Sequence, residues 1–430
     1  MRDLVMLGFV LAVLPFAARS AYISYLLWGW SGLIGIVSYL YGFMGGIAYA
    51  QWFAIITLVN LLINRDNEHE PFKNNATTAL MLIFALQAIS TMTFAYEGLY
   101  RNTEVGVDLI KTILFCILMP MLVTSRFRLH AFILMMALGL GFHGMLDGLK
   151  FLSSGGAHIS RGIAKFGDNN HTAVALATVI PILLYAARYS VNKWVKLGFT
   201  GVMLLTVLAV IASRSRGGFA TLLVIAVWMM WHTKRKVAGL ALLSVCVTVA
   251  LYFAPADWTA RMDTIQTAEQ DSSFMTRVAA WKKSTAIALA HPFVGGGFYA
   301  VQAPVLQNKY KDAQGLLGFI DTPNPYNYAA HSIYFQVMSD TGFIGFFIYI
   351  ILFINAFTLR RRIHKLAKQN VNNAQWAVDL SNTISYSLIA FLVGGSLVSV
   401  AYFDIPFILI AIMQVIWLIL AKKPNINCKT

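Results

Sequence analysis

Four basic side chains in this chain could do chemistry together: His331 and the arginines Arg214, Arg216 and Arg277. An imidazole exchanges protons near neutral pH, so His331 is a candidate general base. A guanidinium offers a planar fork that matches two phosphate oxygens, so the arginines suit a phosphate-bearing partner. Such a set fits group transfer from a diphosphate: the cations absorb charge developing on the leaving group while the base takes a proton from an acceptor hydroxyl. No pair of carboxylates stands at a spacing that would suggest a hydrolase built on a general acid and a general base. The three cysteines, Cys116, Cys246 and Cys428, are scattered and form neither a disulfide framework nor a metal-ligand pattern. Plainer readings stand beside the chemical ones. His331 could anchor a helix end at the headgroup level, and the arginines could snorkel to lipid phosphates.

The elements that carry these residues follow from composition. Of 430 residues 58% are hydrophobic and 12% charged, and the mean hydropathy is +0.66. Repeated apolar runs of about 20 residues predict an all-α polytopic membrane protein. The runs lie near 4–17, 22–39, 45–63, 76–95, 105–124, 129–150, 170–187, 194–212, 217–233, 237–254, 332–358, 380–402 and 404–421. Only Ala18-Arg19-Ser20-Ala21 separates the first two, so residues 4–39 are either two crossings or one broken one. The expected total is about 12 transmembrane helices, and the first is read as a retained span, not a cleaved signal. Basic clusters at Arg126/Arg128, Arg188/Lys193/Lys196, Lys234-Arg235-Lys236, Arg360-Arg361-Arg362 and Lys422-Lys423 fall on one face, which is then the cytoplasm. The C-terminus lies on that side, and a large external loop joins the spans ending near 254 and beginning near 332. The chain divides accordingly into N-terminal helices (1–150), a helical core with an external arginine turn (151–254), the loop (255–331) and C-terminal helices (332–430).

On the external side basic residues ought to be scarce, yet Arg161, Lys165, Arg214, Arg216, Arg261, Arg277, Lys282, Lys283, Lys309 and Lys311 all fall there. Arg214 and Arg216 share the tight turn Ala212-Ser213-Arg214-Ser215-Arg216-Gly217-Gly218. Arginine at such a depth marks a functional site with an anionic partner by default. In the loop, 272–290 reads as a capped amphipathic helix with Arg277 and Trp281 on one face. Gly295-Gly296-Gly297 lacks the Lys-Ser/Thr of a phosphate loop and reads as a flexible turn. Asn170 and His171, with Asp168 and Asn169, either line an acceptor cavity or cap a helix. Asp147 is read as a partner of Lys150, Asp404 and Pro406 as helix breakers, and Gly394-Gly395 as a close-packing site.

Three blocks in fixed order resemble the O-antigen ligase superfamily of bacterial inner-membrane glycosyltransferases. They are Ser213-Arg214-Ser215-Arg216-Gly217-Gly218-Phe219; Arg277-Val278-Ala279-Ala280-Trp281 with His291-Pro292-Phe293-Val294-Gly295-Gly296-Gly297-Phe298; and Ala330-His331-Ser332-Ile333-Tyr334-Phe335-Gln336 with Gly342-Phe343-Ile344-Gly345. A weaker block is Phe166-Gly167-Asp168-Asn169-Asn170-His171-Thr172-Ala173. The resemblance covers about residues 160–360 and is nearest to the exosortase-associated O-glycosylation ligases. Many lipopolysaccharide ligases carry Asn where this chain has Ser332, and residues 38–41 replace an Asn-Pro-His-Arg run common in relatives.

The resemblance implies a C-type glycosyltransferase-like fold with the external loop as a lid. It implies transfer of a glycan from undecaprenyl diphosphate to an acceptor hydroxyl at the periplasmic face of the inner membrane, without metal or cofactor. His331 would be the base, and Arg216, Arg277 and Arg214 would hold the diphosphate. Lipid A–core oligosaccharide is the first acceptor to expect. A protein hydroxyl or a second lipid-linked repeat, as in a polymerase, stays open. A transporter of an anionic solute is the remote alternative, disfavoured because no paired midplane breaks are visible. No nucleic-acid partner is expected.

Overall fold

Helices build this protein, and no strand occurs among the described residues. The computed structural model describes residues 1–63, 69–71, 75–162, 166–232, 244, 248, 272–322, 329–369 and 374–422. The expected span at 237–254, Lys165, the cluster 234–236 and Arg261 lie outside them. The helices are α1 (Arg2–Arg19), α2 (Ala21–Ile34), α3 (Tyr49–Ile63), α4 (Ala76–Thr93), α5 (Asn102–Leu122), α6 (Arg126–Ser153), α7 (Asn169–Tyr189), α8 (Lys193–Ala212), α9 (Arg216–His232), α10 (Ser272–Ala290), α11 (Pro304–Lys309), α12 (Ile333–Gln369), α13 (Gln375–Gly395) and α14 (Asp404–Ala421). Among the described residues eight are long and apolar enough to cross a bilayer: α4 to α8 and α12 to α14. Segments Tyr49–Ile63 and Arg216–Met230 are shorter apolar helices.

Residues 4–39 form two helices. Ser20 breaks them and caps the second by accepting the Ile23 N–H at 3.4 Å. The second stops at Ile34 because Gly35 takes the left-handed conformation (φ 58°), a standard helix terminator. The apolar run at 380–402 also ends early as helix, at Gly395. Residues 397–403 leave the helix although Val398, Val400 and Ala401 are buried. Hydropathy alone cannot separate such a buried loop from a span, because irregular backbone is tolerated at depth where protein covers it.

The core runs through α2, α4 to α7 and α12 to α14, with Tyr25 stacked on Phe115 at 4.3 Å and α14 buried from Ile405 to Ile416. Gly394 admits Val174 and Thr221 of neighbouring helices, and Gly395 admits Ile333, as expected for a close-packing pair. Asp147 pairs with Lys150 at 3.3 Å and also accepts the Ser160 hydroxyl at 2.5 Å.

One break matters for the site. Inside α12, Gly342 has φ 71° and ψ −172°, which interrupts the helix below its first turns. The glycine run expected as a flexible turn is bound there instead. Gly296 N–H donates to the Ser339 carbonyl at 2.8 Å, Gly297 N–H to Asp340 at 3.0 Å, and Phe343 N–H to Pro292 at 2.8 Å. From α4, the Gln87 amide donates to the Phe293 and Thr341 carbonyls at 2.7 and 2.9 Å. A Cβ on Gly342 would stand 2.6 Å from the Pro292 oxygen. Gly342→Ala is therefore expected to destabilise by about 2–3 kcal/mol, combining left-handed strain with a backbone clash. A thermal melt in detergent reads this directly, and an unchanged melting temperature would contradict it.

Candidate functional site

His331 is set by two main-chain hydrogen bonds, neither of them through its imidazole. Its backbone is left-handed (φ 44°), a conformation that costs a non-glycine residue and persists only where the surroundings hold it. Its N–H donates to Ser399 Oγ at 2.8 Å, from the 397–403 loop. The preceding carbonyl, Ala330, accepts Trp281 Nε1–H at 2.7 Å, from α10. The Trp281 ring stacks on Phe335 in the first turn of α12, with centroids 4.9 Å apart and planes 12° apart. The expected helix over 272–290 is present, and Trp281 uses its face on Phe335 and its N–H on the His331 segment. The 397–403 loop is pinned a second time, where Ala401 N–H donates to Gln336 Oε1 at 3.1 Å.

Around the imidazole stand Arg277, Asp168 and His171. Burial, and then the positive charge of Arg277, lower the His331 pKa from 6.5 to about 4, against a smaller opposite pull from Asp168. At pH 7 the ring is therefore neutral and keeps a lone pair for a proton. An anion bound at Arg277 would offset that charge and strengthen the base.

The arginine turn joins the same end of the bundle through α7. Asn169 Nδ2 donates to the Ser213 carbonyl at 2.8 Å, and Ser215 Oγ donates to Asn170 Oδ1 at 2.8 Å. Ser215 Oγ also accepts Gly218 N–H at 3.1 Å, which caps the start of α9. Arg214 sits in the left-handed region (φ 53°), and Arg216 is the first residue of α9. A cation at a helix N-terminus opposes the helix dipole, an arrangement that an anionic ligand would relieve. Gly217 lies against Leu397, so the turn also touches the loop that holds His331.

Asn170 is engaged at both ends of its amide, to Ser215 and, at 3.3 Å, to Asn169 Oδ1, so it fixes the turn. Asp168 caps α7 by accepting His171 N–H at 2.8 Å. His171 Nδ1 lies 3.1 Å from the Phe166 carbonyl, and its ring meets Phe403 edge-on at 5.9 Å. Beside Phe166, Ser399 and Phe403 opens a cavity of about 210 Å³.

Ser399 and the buried Asp340 are not evident from the sequence. Ser399 is hidden inside an apparent span, although the Gly394-Gly395-Ser396 sequence before it is a stop signal. Asp340 is 1% exposed and accepts the Tyr402 hydroxyl and the Ala300 N–H, each at 3.2 Å. Trp281→Phe would keep the stack on Phe335 and lose the bond to Ala330. The net cost is about 1 kcal/mol, read as a lower melting temperature; an unchanged melting temperature would contradict it.

Residues 201–350 match the O-antigen ligase family, a segment that includes Arg214, Arg216, Arg277 and His331. Residues 1–191 match a family of unknown function, DUF5935, which takes in Asp168 to His171. No curated protein and no solved structure matches the chain.

Proposed function

We propose, from the match of residues 201–350 to the O-antigen ligase family, that this chain transfers a glycan from undecaprenyl diphosphate to an acceptor hydroxyl. The reaction occurs at the periplasmic face of the inner membrane, with the C-terminus cytoplasmic. The observation that carries this reading is His331, anchored by its N–H to Ser399 and through Ala330 to Trp281, within the field of Arg277.

The acceptor oxygen attacks the anomeric carbon while His331 takes its proton. The bond from that carbon to the phosphate oxygen breaks, and undecaprenyl diphosphate leaves with the electron pair. Arg216, Arg277 and Arg214 bind the diphosphate and stabilise the charge it gains, which is the strongest assistance such a site can give. Binding of the diphosphate also lifts the field of Arg277 from His331, so the base strengthens when the donor is in place. Asn170, through Ser215, and Asp168, through the start of α7, hold the arginine turn and His171 in register. Direct displacement of this kind inverts the anomeric centre.

Lipid A–core oligosaccharide is the leading acceptor, with a protein hydroxyl or a second lipid-linked repeat as the competing cases. Purified protein in liposomes, given one glycan donor and each acceptor in turn, separates them by the product formed. Transfer to none, together with solute flux, would replace this reading by the transporter.

A further inference from the structure

The cavity beside the site has walls of a distinct chemistry. Arg101, Val105 and Asp108 recur at the start of α5 with helical spacing and line one side; Tyr299 and Tyr402 line another. The Arg101 guanidinium donates to Tyr299 Oη at 3.0 Å, lies 4.5 Å from the Tyr299 ring centre and pairs with Glu104 at 3.1 Å. Tyr299 is itself held in the left-handed region (φ 64°). Tyr402 is fixed by its bond to the buried Asp340, so this wall is rigid before any ligand arrives.

The cavity meets the candidate active site at Ser399 and at Phe403, whose ring meets His171. Ser399 lines it and accepts the His331 N–H. Its volume, about 210 Å³, is below the ~300–1,000 Å³ typical of pockets for drug-sized ligands. It suits one ring, not a lipid or an oligosaccharide. Its charge also separates it from the arginine side. Among the described residues two carboxylates, Asp108 and Asp404, face it against the single guanidinium of Arg101. Asp108 is paired with Lys111 at 3.0 Å, so the Asp404 carboxylate is what weighs against a diphosphate there, and aromatic rings with short polar side chains suit the C–H edges and hydroxyls of a sugar.

We infer that this cavity is the acceptor subsite and holds one neutral or amine-bearing sugar ring of the acceptor, excluding phosphorylated sugars. The inference rests on the proposed transfer and deepens it: donor diphosphate lies on the arginine side of His331 and acceptor sugar on the Ser399 side.

Ligand-observed NMR on the purified full-length protein tests this without turnover, using methyl glucoside, methyl glucosaminide and glucose 6-phosphate. The first two should give saturation-transfer signals that vanish in Val105→Trp, which fills the cavity. Glucose 6-phosphate should bind at least tenfold more weakly. If Val105→Trp lowers the melting temperature, Arg101→Met removes the polar wall instead and should weaken both glycosides several-fold. Equal binding of glucose 6-phosphate, or signals unchanged in a well-folded Val105→Trp, would overturn the subsite. Glycan transfer is read separately on the same samples. Sugar binding without any transfer would overturn the transferase reading alone, and transfer without cavity-dependent sugar binding would overturn the subsite alone.

Discussion

His331→Ala is expected to lower kcat by about 10²–10⁴-fold, the range for removing a positioned general base. The KM for the lipid-linked donor should change little, because the proposed mechanism gives the diphosphate contacts to the arginines. The protein should still fold, since the bonds that fix this position, to Ser399 and through Ala330 to Trp281, are made by the main chain. His331→Asn is the cleaner companion. Asn tolerates the left-handed backbone found here (φ 44°) better than Ala does, so it removes the base with less strain. Equal losses in the two variants assign the effect to the imidazole. Activity close to wild type in His331→Asn would remove His331 as the base, and a low melting temperature in Ala alone would assign that variant's loss to the backbone.

Arg216→Ala and Arg277→Ala should each cost about 10²–10³-fold in kcat/KM for the donor, the scale for losing one preorganised contact to a developing anion. Lysine at either position should recover only part of this, because an ammonium keeps the charge and loses the two-pronged geometry. Arg277 carries a second, separable effect. Its charge helps hold the His331 pKa near 4, so in the free enzyme the base is neutral through the physiological range. The acid limb of kcat/KM should therefore fall only as pH drops through about 4. In Arg277→Gln that limb should move upward, toward the ordinary histidine range, because the charge that adds to the effect of burial is gone. Arg216→Ala should reduce the rate without the same displacement. A limb that stays in place in Arg277→Gln would show that the titration belongs to another group.

Much of this arrangement is legible in the sequence. The helix over 272–290 and the arginine turn can be read because polar and basic residues interrupt an apolar background there. The pairing of Asp147 with Lys150 and the capping role of Asp168 follow from spacing alone, as both contacts are local along a helix. What escapes is non-local. Ser399 lies 68 residues from His331 along the chain and sits in a buried loop whose hydropathy is that of a span. The bond from Trp281 to Ala330 and the mesh between Gly295–Gly297 and the broken α12 depend on two distant segments meeting. Spacing within either segment carries no trace of the other. Gly342 is visible as part of a motif, but its left-handed angle is not, so the glycine run reads as loose when it is bound.

The most direct test is a defined reaction in liposomes containing a chelator: purified protein, an undecaprenyl-diphosphate-linked glycan and a saccharide acceptor, with both products quantified. One undecaprenyl diphosphate should be released for each glycan joined to the acceptor, at a rate the chelator leaves unchanged and His331→Asn lowers about 10²–10⁴-fold. Donor consumed with no glycosylated acceptor, or transfer that continues at the wild-type rate in His331→Asn, would contradict it.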